Sequence, residues 1–178
     1  NYGSDTVSKI TPAGASTILG ATGSDPLAIA IDAAGNVYTA NYGSNTVSKI
    51  TPAGTSTVFG TTGSGPRAIA IDDAGNVYTA NLDSNTVSKI TPAGVSTILG
   101  ATDVDPRAIA IDAAGSIYTV NEYSRNVSKI TSDGVATIFA TTDIDPRAIA
   151  IDVAGNVYIA SYGSKTVSKI TPDGISTL

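Results

Sequence analysis

Pro26, Pro66, Pro106 and Pro146 stand 40 residues apart, and each opens a unit that repeats its neighbours closely. The first two units read PLAIAIDAAGNVYTANYGSNTVSKITPAGTSTVFGTTGSG and PRAIAIDDAGNVYTANLDSNTVSKITPAGVSTILGATDVD. A fixed period of this length belongs to solenoids and propellers, in which stacked units share a core that none could bury alone. Each unit divides into four short runs rich in Ile, Val, Thr and Tyr. In the first unit they are strand A (Leu27–Asp32), strand B (Asn36–Asn41), strand C (Thr46–Thr51) and strand D (Ser56–Thr61). Such residues suit half-buried pleated surfaces. No stretch carries a helical apolar period, and Gly or Pro recurs too often to permit one.

The segments between the runs read as turns. Asp32-Ala33-Ala34-Gly35 suits a type I turn closed by a left-handed Gly, with the Asp32 carboxylate accepting from a nearby backbone N–H. Tyr42-Gly43-Ser44-Asn45 joins B to C, and Pro52-Ala53-Gly54 joins C to D. Three successive hairpins make a four-stranded meander, and a slightly longer link, Thr62 to Pro66, leads on to the next strand A. Within strand A, Ile29 and Ile31 alternate with Ala28 and Ala30, so bulky and small faces can meet near a common axis. The expected fold is all-β: a β-propeller of four-stranded antiparallel blades, strand A innermost. A flat β-solenoid is the rival, though its coils are usually shorter and its pairing parallel.

The strand count is awkward. Residues 1–25 supply only a C strand (Thr6–Thr11) and a D strand (Ser16–Ala21), a half blade. Blades follow over residues 26–65, 66–105, 106–145 and 146–178, giving about 4.5 blades. Open ends would leave apolar faces and strand edges bare. The segment could be cut from a longer repeat protein, close a ring by self-association, or form a four-bladed monomer with a spare hairpin. A consensus-derived array is also compatible with such similar units. The expected partners are therefore copies of the chain or further blades of the same polypeptide. The chain opens at Asn1 and has no Met, which suggests removal of a signal peptide or a longer upstream portion. On that ground an extracellular or periplasmic location is expected.

Composition removes several function classes. Fifteen acidic against ten basic side chains give a net charge of −5, which argues against nucleic acid as a partner. No run approaches the length needed to span a membrane as a helix. Without Cys there can be neither a disulfide nor a thiolate metal site, and without His there is no imidazole for acid–base work near neutral pH.

The string PxAIAIDxAGNVYxAN…NTVSKITPxG resembles NHL-type propeller repeats and, among them, the streptogramin (virginiamycin B) lyase family. The likeness runs through every unit and implies a closed propeller of six or seven blades. The family's activity implies a catalytic His and a bound divalent metal, and this chain has no His. Related lactonase-type propellers hold a metal with Glu, Asn and Asp in the central channel, and here the sole Glu is Glu122. The residues therefore favour a non-catalytic binding or interaction scaffold. The alternative is part of a lyase- or lactonase-like enzyme whose catalytic residues lie outside this segment, and a third reading is a purely structural, self-assembling array.

A binding site is expected on the rim formed by the B–C loops and D–A links, where the units differ most and where rigid scaffolds usually place ligand contacts. Tyr42, Asn45, Tyr123, Arg125 and Tyr162 lie in the B–C loops. Arg67, Arg107 and Arg147 follow the unit prolines and could ring one mouth of the channel, clamping a carboxylate or phosphate. Asp105 and Asp145 stand two residues before Arg107 and Arg147, so local ion pairs would compete with that role. Asp83, Asp103 and Asp105 are candidates for calcium, although their spacing matches no established loop. No other cofactor is expected. Asp32, Asp72, Asp112 and Asp152 read as turn residues, and the repeated Lys49 and Tyr38 positions as blade packing. Asn126-Val127-Ser128 is a glycosylation sequon by letter only.

Overall fold

The computed structural model describes residues 1–177, and Leu178, the last residue of the blade expected over 146–178, lies outside the described residues. Strands β1 (Thr6–Ile10) and β2 (Ser16–Ala21) form a two-stranded sheet. The next sheet contains β3 (Pro26–Ile31), β4 (Val37–Asn41), β5 (Thr46–Ile50) and β6 (Ser56–Thr61). It is followed by β7 (Pro66–Ile71), β8 (Val77–Asn81), β9 (Thr86–Ile90) and β10 (Ser96–Ala101), then β11 (Pro106–Ile111), β12 (Ile117–Asn121), β13 (Asn126–Ile130) and β14 (Ala136–Thr141). The last sheet is β15 (Pro146–Ile151), β16 (Val157–Ser161), β17 (Thr166–Ile170) and β18 (Ser176–Thr177). Each full sheet is an antiparallel meander, numbered here as blades 1 to 4 after the initial half blade.

Strand A begins one residue earlier than its apolar run implies, because Pro26 pairs with Asn41, and it ends at Ile31. Asp32 has already left the strand: its N–H donates to Asn36 O, and its Oδ1 accepts from Ala34 N and Asn36 N. The Asp32 Oδ2 accepts from the Asn36 amide and from the Tyr38 hydroxyl. One carboxylate thus satisfies a whole turn and anchors the tyrosine of the next strand.

Blades meet through two unlike faces. Tyr38, Val47 and Phe59 of blade 1 pack against Ile69, Ile71, Val77 and Ile90 of blade 2. Tyr78, Val87 and Leu99 meet Ile109, Ile111, Ile117 and Ile130 in the same way. Burying each Ile or Val contributes roughly 1.5–3 kcal/mol, so the core lies between blades rather than within one. The small residues permit the approach: a Cβ on Gly60 would stand 2.8 Å from Ile90 Cγ2. Lys49 lies 5.4 Å from the centre of the Tyr38 ring, a packing role for the repeated lysine.

Neighbouring inner strands β3, β7, β11 and β15 contact one another in sequence, and the apolar faces at both ends stay exposed, so the array is an open arc. This corrects the reading of a closed four-bladed monomer. Ile29 and Ile31 are 56% and 65% exposed at one end, and Val167 is 61% exposed at the other.

Candidate functional site

A β-bulge in every inner strand sets the geometry of one rim. Pro66 pairs with Asn81 and Ala68 with Ala80, which leaves Arg67 as the extra residue. The same register shift falls between Pro106 and Ala108 and between Pro146 and Ala148. Bulges re-aim side chains, and here they set Arg67, Arg107 and Arg147 at equivalent places beside the B–C loops. The first residue of each B–C loop is tied down in turn. Tyr42 N donates to Asp25 O, Leu82 N to Gly65 O, Glu122 N to Asp105 O and Tyr162 N to Asp145 O. B–C loops and D–A links therefore share one rim, as the meander requires.

The arginines are partly neutralised. Arg147 Nε donates to Asp145 Oδ1 at 2.6 Å, and Arg107 Nε stands 3.4 Å from Asp105 Oδ1. Glu122 adds a partner that the spacing of the aspartates did not suggest: it contacts Arg107 closely and reaches Arg147 at 3.5 Å. Register could have located it, because Pro106 pairs with Asn121 and so Glu122 flanks Arg107. Burial pushes the Glu122 carboxyl above its ordinary value, against the pull of Arg107 and Arg147. Arg67 makes no ion pair among the described residues. Burial lowers its pKa, and the like charge of Arg107 adds to that effect.

The loop residues divide by what they touch. Tyr123 and Tyr162 are 80% and 74% exposed, and the Arg147 guanidinium lies 5.6 Å from the Tyr162 ring centre. Arg125 is exposed, in a left-handed conformation with φ 53°. Tyr42 instead donates its hydroxyl to Asp83 Oδ1 at 3.1 Å, bridging blades 1 and 2. Asn45 is also structural, since it takes φ 54° and its Oδ1 accepts from Gly65 N at 2.8 Å. Asn85 makes the same bond to Asp105 N.

The three calcium candidates do not converge. Asp83 accepts from Tyr42, Asp105 faces Arg107, and Asp103 accepts from Asn126 at 2.7 Å. Hydrogen bonds from Asn126, Ser124 and Val104 N hold the Asp103 carboxyl below its ordinary value. Among the described residues no three carboxylates form a metal-ligating cluster, and Glu122 is committed to two guanidinium groups. These residues do not fit the divalent metal that the resemblance implies.

Beneath the rim lies a buried polar cluster whose bonding the repeat pattern did not reveal. Asn81, fully buried, accepts from Thr79 Oγ1 and donates to Thr86 Oγ1 and Ser88 Oγ. Ser88 Oγ in turn accepts from Gly63 N of the preceding link at 2.9 Å. This cluster fixes the height of link and loop together.

Four-stranded blades stacked by their faces, inner strand to inner strand, make the chain a β-propeller array. A family model for the virginiamycin B lyase family matches residues 1–177, and the chain belongs to that family. Solved structures agree on the fold. The virginiamycin B lyase of Staphylococcus aureus superposes with TM-score 0.84 at 17% identity, over 98% of this chain and 62% of that one. A catalytically inactive His-to-Ala form of the same lyase with quinupristin gives TM-score 0.84 at 18% identity. A nidogen/laminin complex gives TM-score 0.79 at 16% identity, over 97% of this chain and 70% of that one. The chain thus spans about three fifths of the lyase chains it matches. No curated protein sequence matches it.

Proposed function

We propose that this chain is a non-catalytic binding module of the lyase family, taking its ligand on the B–C/D–A rim. The observation that carries this reading is the arginine cluster at the inner-strand bulges: among the described residues Arg67 has no carboxylate partner, beside two arginines that share Glu122. Such a cluster suits a ligand with a carboxylate or phosphate group, which a guanidinium can hold bidentately. Exposed Tyr123 and Tyr162 supply flat apolar surface next to it. The related lyase supports separating binding from turnover, since a His-to-Ala form described as catalytically inactive was crystallised with quinupristin. This chain has no His anywhere.

Amide chemical-shift mapping tests the proposal, with citrate as an anionic probe and quinupristin as a family ligand. The expected result is saturable shifts at Arg67, Arg107, Tyr123 and Tyr162 for at least one probe, reduced several-fold by Arg67→Ala, with quinupristin recovered unchanged by chromatography. Conversion of quinupristin would establish an enzyme instead. Shifts confined to the A–B turn rim, or none with either probe, would overturn the reading.

A further inference from the structure

The blade junctions take their rim carboxylate from two different places. Asp25, Asp105 and Asp145 stand immediately before the unit prolines, whereas the link into blade 2 has Gly65 there. A link aspartate can turn to the arginine two residues on: Asp145 Oδ1 accepts from Arg147 Nε at 2.6 Å, and Asp105 Oδ1 stands 3.4 Å from Arg107 Nε. Between blades 1 and 2 the carboxylate comes from the loop instead. A Cβ on Gly65 would stand 2.6 Å from Asp83 Oδ2, so Asp83 fills the space that a link aspartate would take. The exchange is reciprocal, because the loop position facing Asp25 is Gly43, whose Cβ would lie 2.5 Å from Asp25 Oδ2. Backbone conformation does not demand the glycine, since φ is 68° at both Gly65 and Asp105.

The loop carboxylate is held differently. Tyr42 of the neighbouring loop donates its hydroxyl to Asp83 Oδ1 at 3.1 Å, and among the described residues Asp83 makes no ion pair with Arg67. Arg67 is nonetheless close to this bond. The bond to Asp83 raises the pKa of the Tyr42 phenol, and the charge of Arg67 pulls it the other way. The second carboxylate source is missing too. Pro66 pairs with Asn81 as Pro106 pairs with Asn121, so Leu82 flanks Arg67 where Glu122 flanks Arg107. Arg67 is thus a half-buried guanidinium beside an apolar side chain, and one hydroxyl keeps Asp83 turned elsewhere.

We propose that Tyr42 is a positioning residue that holds Asp83 off Arg67, leaving that guanidinium to anchor a monocarboxylate with an apolar body. It rests on the rim being the anion-binding face, as proposed above. One unpaired guanidinium matches one carboxylate, which it can hold through two parallel hydrogen bonds. Leu82 and the Tyr42 ring give the apolar body a surface, so the site discriminates against small hydrophilic anions. Without the Tyr42 hydroxyl, Asp83 is free to turn to the opposite charge and occupy the guanidinium itself.

NMR of the 178-residue chain tests this with two independent readouts: hydrogen exchange of the Arg67 Nε–H without ligand, and titration with phenylacetate. Tyr42→Phe should slow the exchange several-fold, as Asp83 pairs with Arg67, and should weaken phenylacetate binding several-fold. Asp83→Asn added to Tyr42→Phe should restore both, a rescue that a merely structural role for Tyr42 would not show. Tyr42 and Asp83 lie on the rim, so amide shifts outside the two loops should stay in place in both variants. Unchanged exchange in Tyr42→Phe, or no rescue by Asp83→Asn, would overturn the inference whatever the chain binds. The expected exchange pattern with no phenylacetate binding in any variant would overturn the ligand assignment and leave the Tyr42 role standing. Acetate binding as tightly as phenylacetate would overturn the apolar part of that assignment.

Discussion

The hydroxyl of Tyr78 donates to Asp72 Oδ2 at 3.0 Å, tying the second strand of blade 2 back to the turn that precedes it. The ring itself is buried against blade 3 while its oxygen reaches the partly exposed carboxylate. Tyr78→Phe keeps the buried ring and removes only that bond. A loss of about 0.5–1.5 kcal/mol is expected, the usual net worth of one hydrogen bond, read as a lower urea midpoint at unchanged slope. A loss of several kcal/mol would mean that the bond positions the whole interface.

The same turns predict the response to acid. Burial alone would raise Asp32 and Asp72, but hydrogen bonds from Asn36 and Tyr38, and from Asn76 and Tyr78, hold both below their ordinary value. Asp152 is lowered chiefly by Asn156. A depressed carboxylate stabilises the fold above its unfolded pKa, about 3.9, and that contribution is lost as pH falls through the folded value. Glu122 acts in the opposite sense: its raised pKa favours folding below the unfolded value, and that benefit fades as pH rises through the folded value. Asp103, Asp133 and Asp145 are lowered as well, and with these six depressed carboxylates against the raised Glu122, thermal stability should fall below about pH 4. Asp72→Asn should flatten that fall. An unchanged profile would show that these turns do not couple to unfolding.

Asn81 is the residue on which loop, link and strand depend together. Removing its amide leaves Thr79, Thr86 and Ser88 with fewer buried partners. Asn81→Ala should cost about 2–4 kcal/mol, since each buried group left unpaired carries its full desolvation penalty. Blade 4 already has Ser161 at this position, and its Oγ has no hydrogen-bond partner among the described residues. Ser161→Ala should therefore cost under about 1 kcal/mol. Chemical denaturation of both variants gives the comparison directly.

Glu122→Gln separates structure from binding on the rim. It removes the carboxylate that Arg107 and Arg147 share. These groups are partly exposed, so the expected stability loss is only about 0.5–1 kcal/mol. The freed guanidiniums should bind citrate several-fold more tightly, in titrations that weaken with salt. If affinity falls instead, the carboxylate positions the arginines rather than competing for them.

The period made most of this fold legible. Strands, hairpins, the inner position of strand A and the bland roles of Asp32, Lys49 and Tyr38 all follow from alternation and turn chemistry. The bulge at Arg67 was not legible, because one extra residue in a short strand leaves the composition unchanged and reverses only where a side chain points. The structural bond of Asn45 was hidden for a related reason. A polar residue in a variable loop reads as a ligand contact, and neither its left-handed backbone nor its bond to Gly65 is visible in the composition of the loop. Glu122 stands where the other units have Tyr42, Leu82 and Tyr162, so the repeat carries no charge at this position, and only the strand register places it beside Arg107.

Two glycines distinguish backbone conformation from blade contact. Gly115 in an A–B turn and Gly134 in a C–D turn both lie in the left-handed region, at φ 79° and 91°. A Cβ on Gly115 would meet nothing within 4 Å, whereas one on Gly134 would stand 2.5 Å from the carbonyl oxygen of Leu99 in the adjacent blade. Gly115→Ala should therefore cost only the conformational penalty, about 1–2 kcal/mol. Gly134→Ala adds an overlap with backbone that cannot rotate away, and should cost at least twice as much by urea denaturation. The difference between the two measures how firmly blade 3 is seated on blade 2. Equal losses would show that the blades slide apart at little cost, and that the arc is held by its inner strands rather than by its turns.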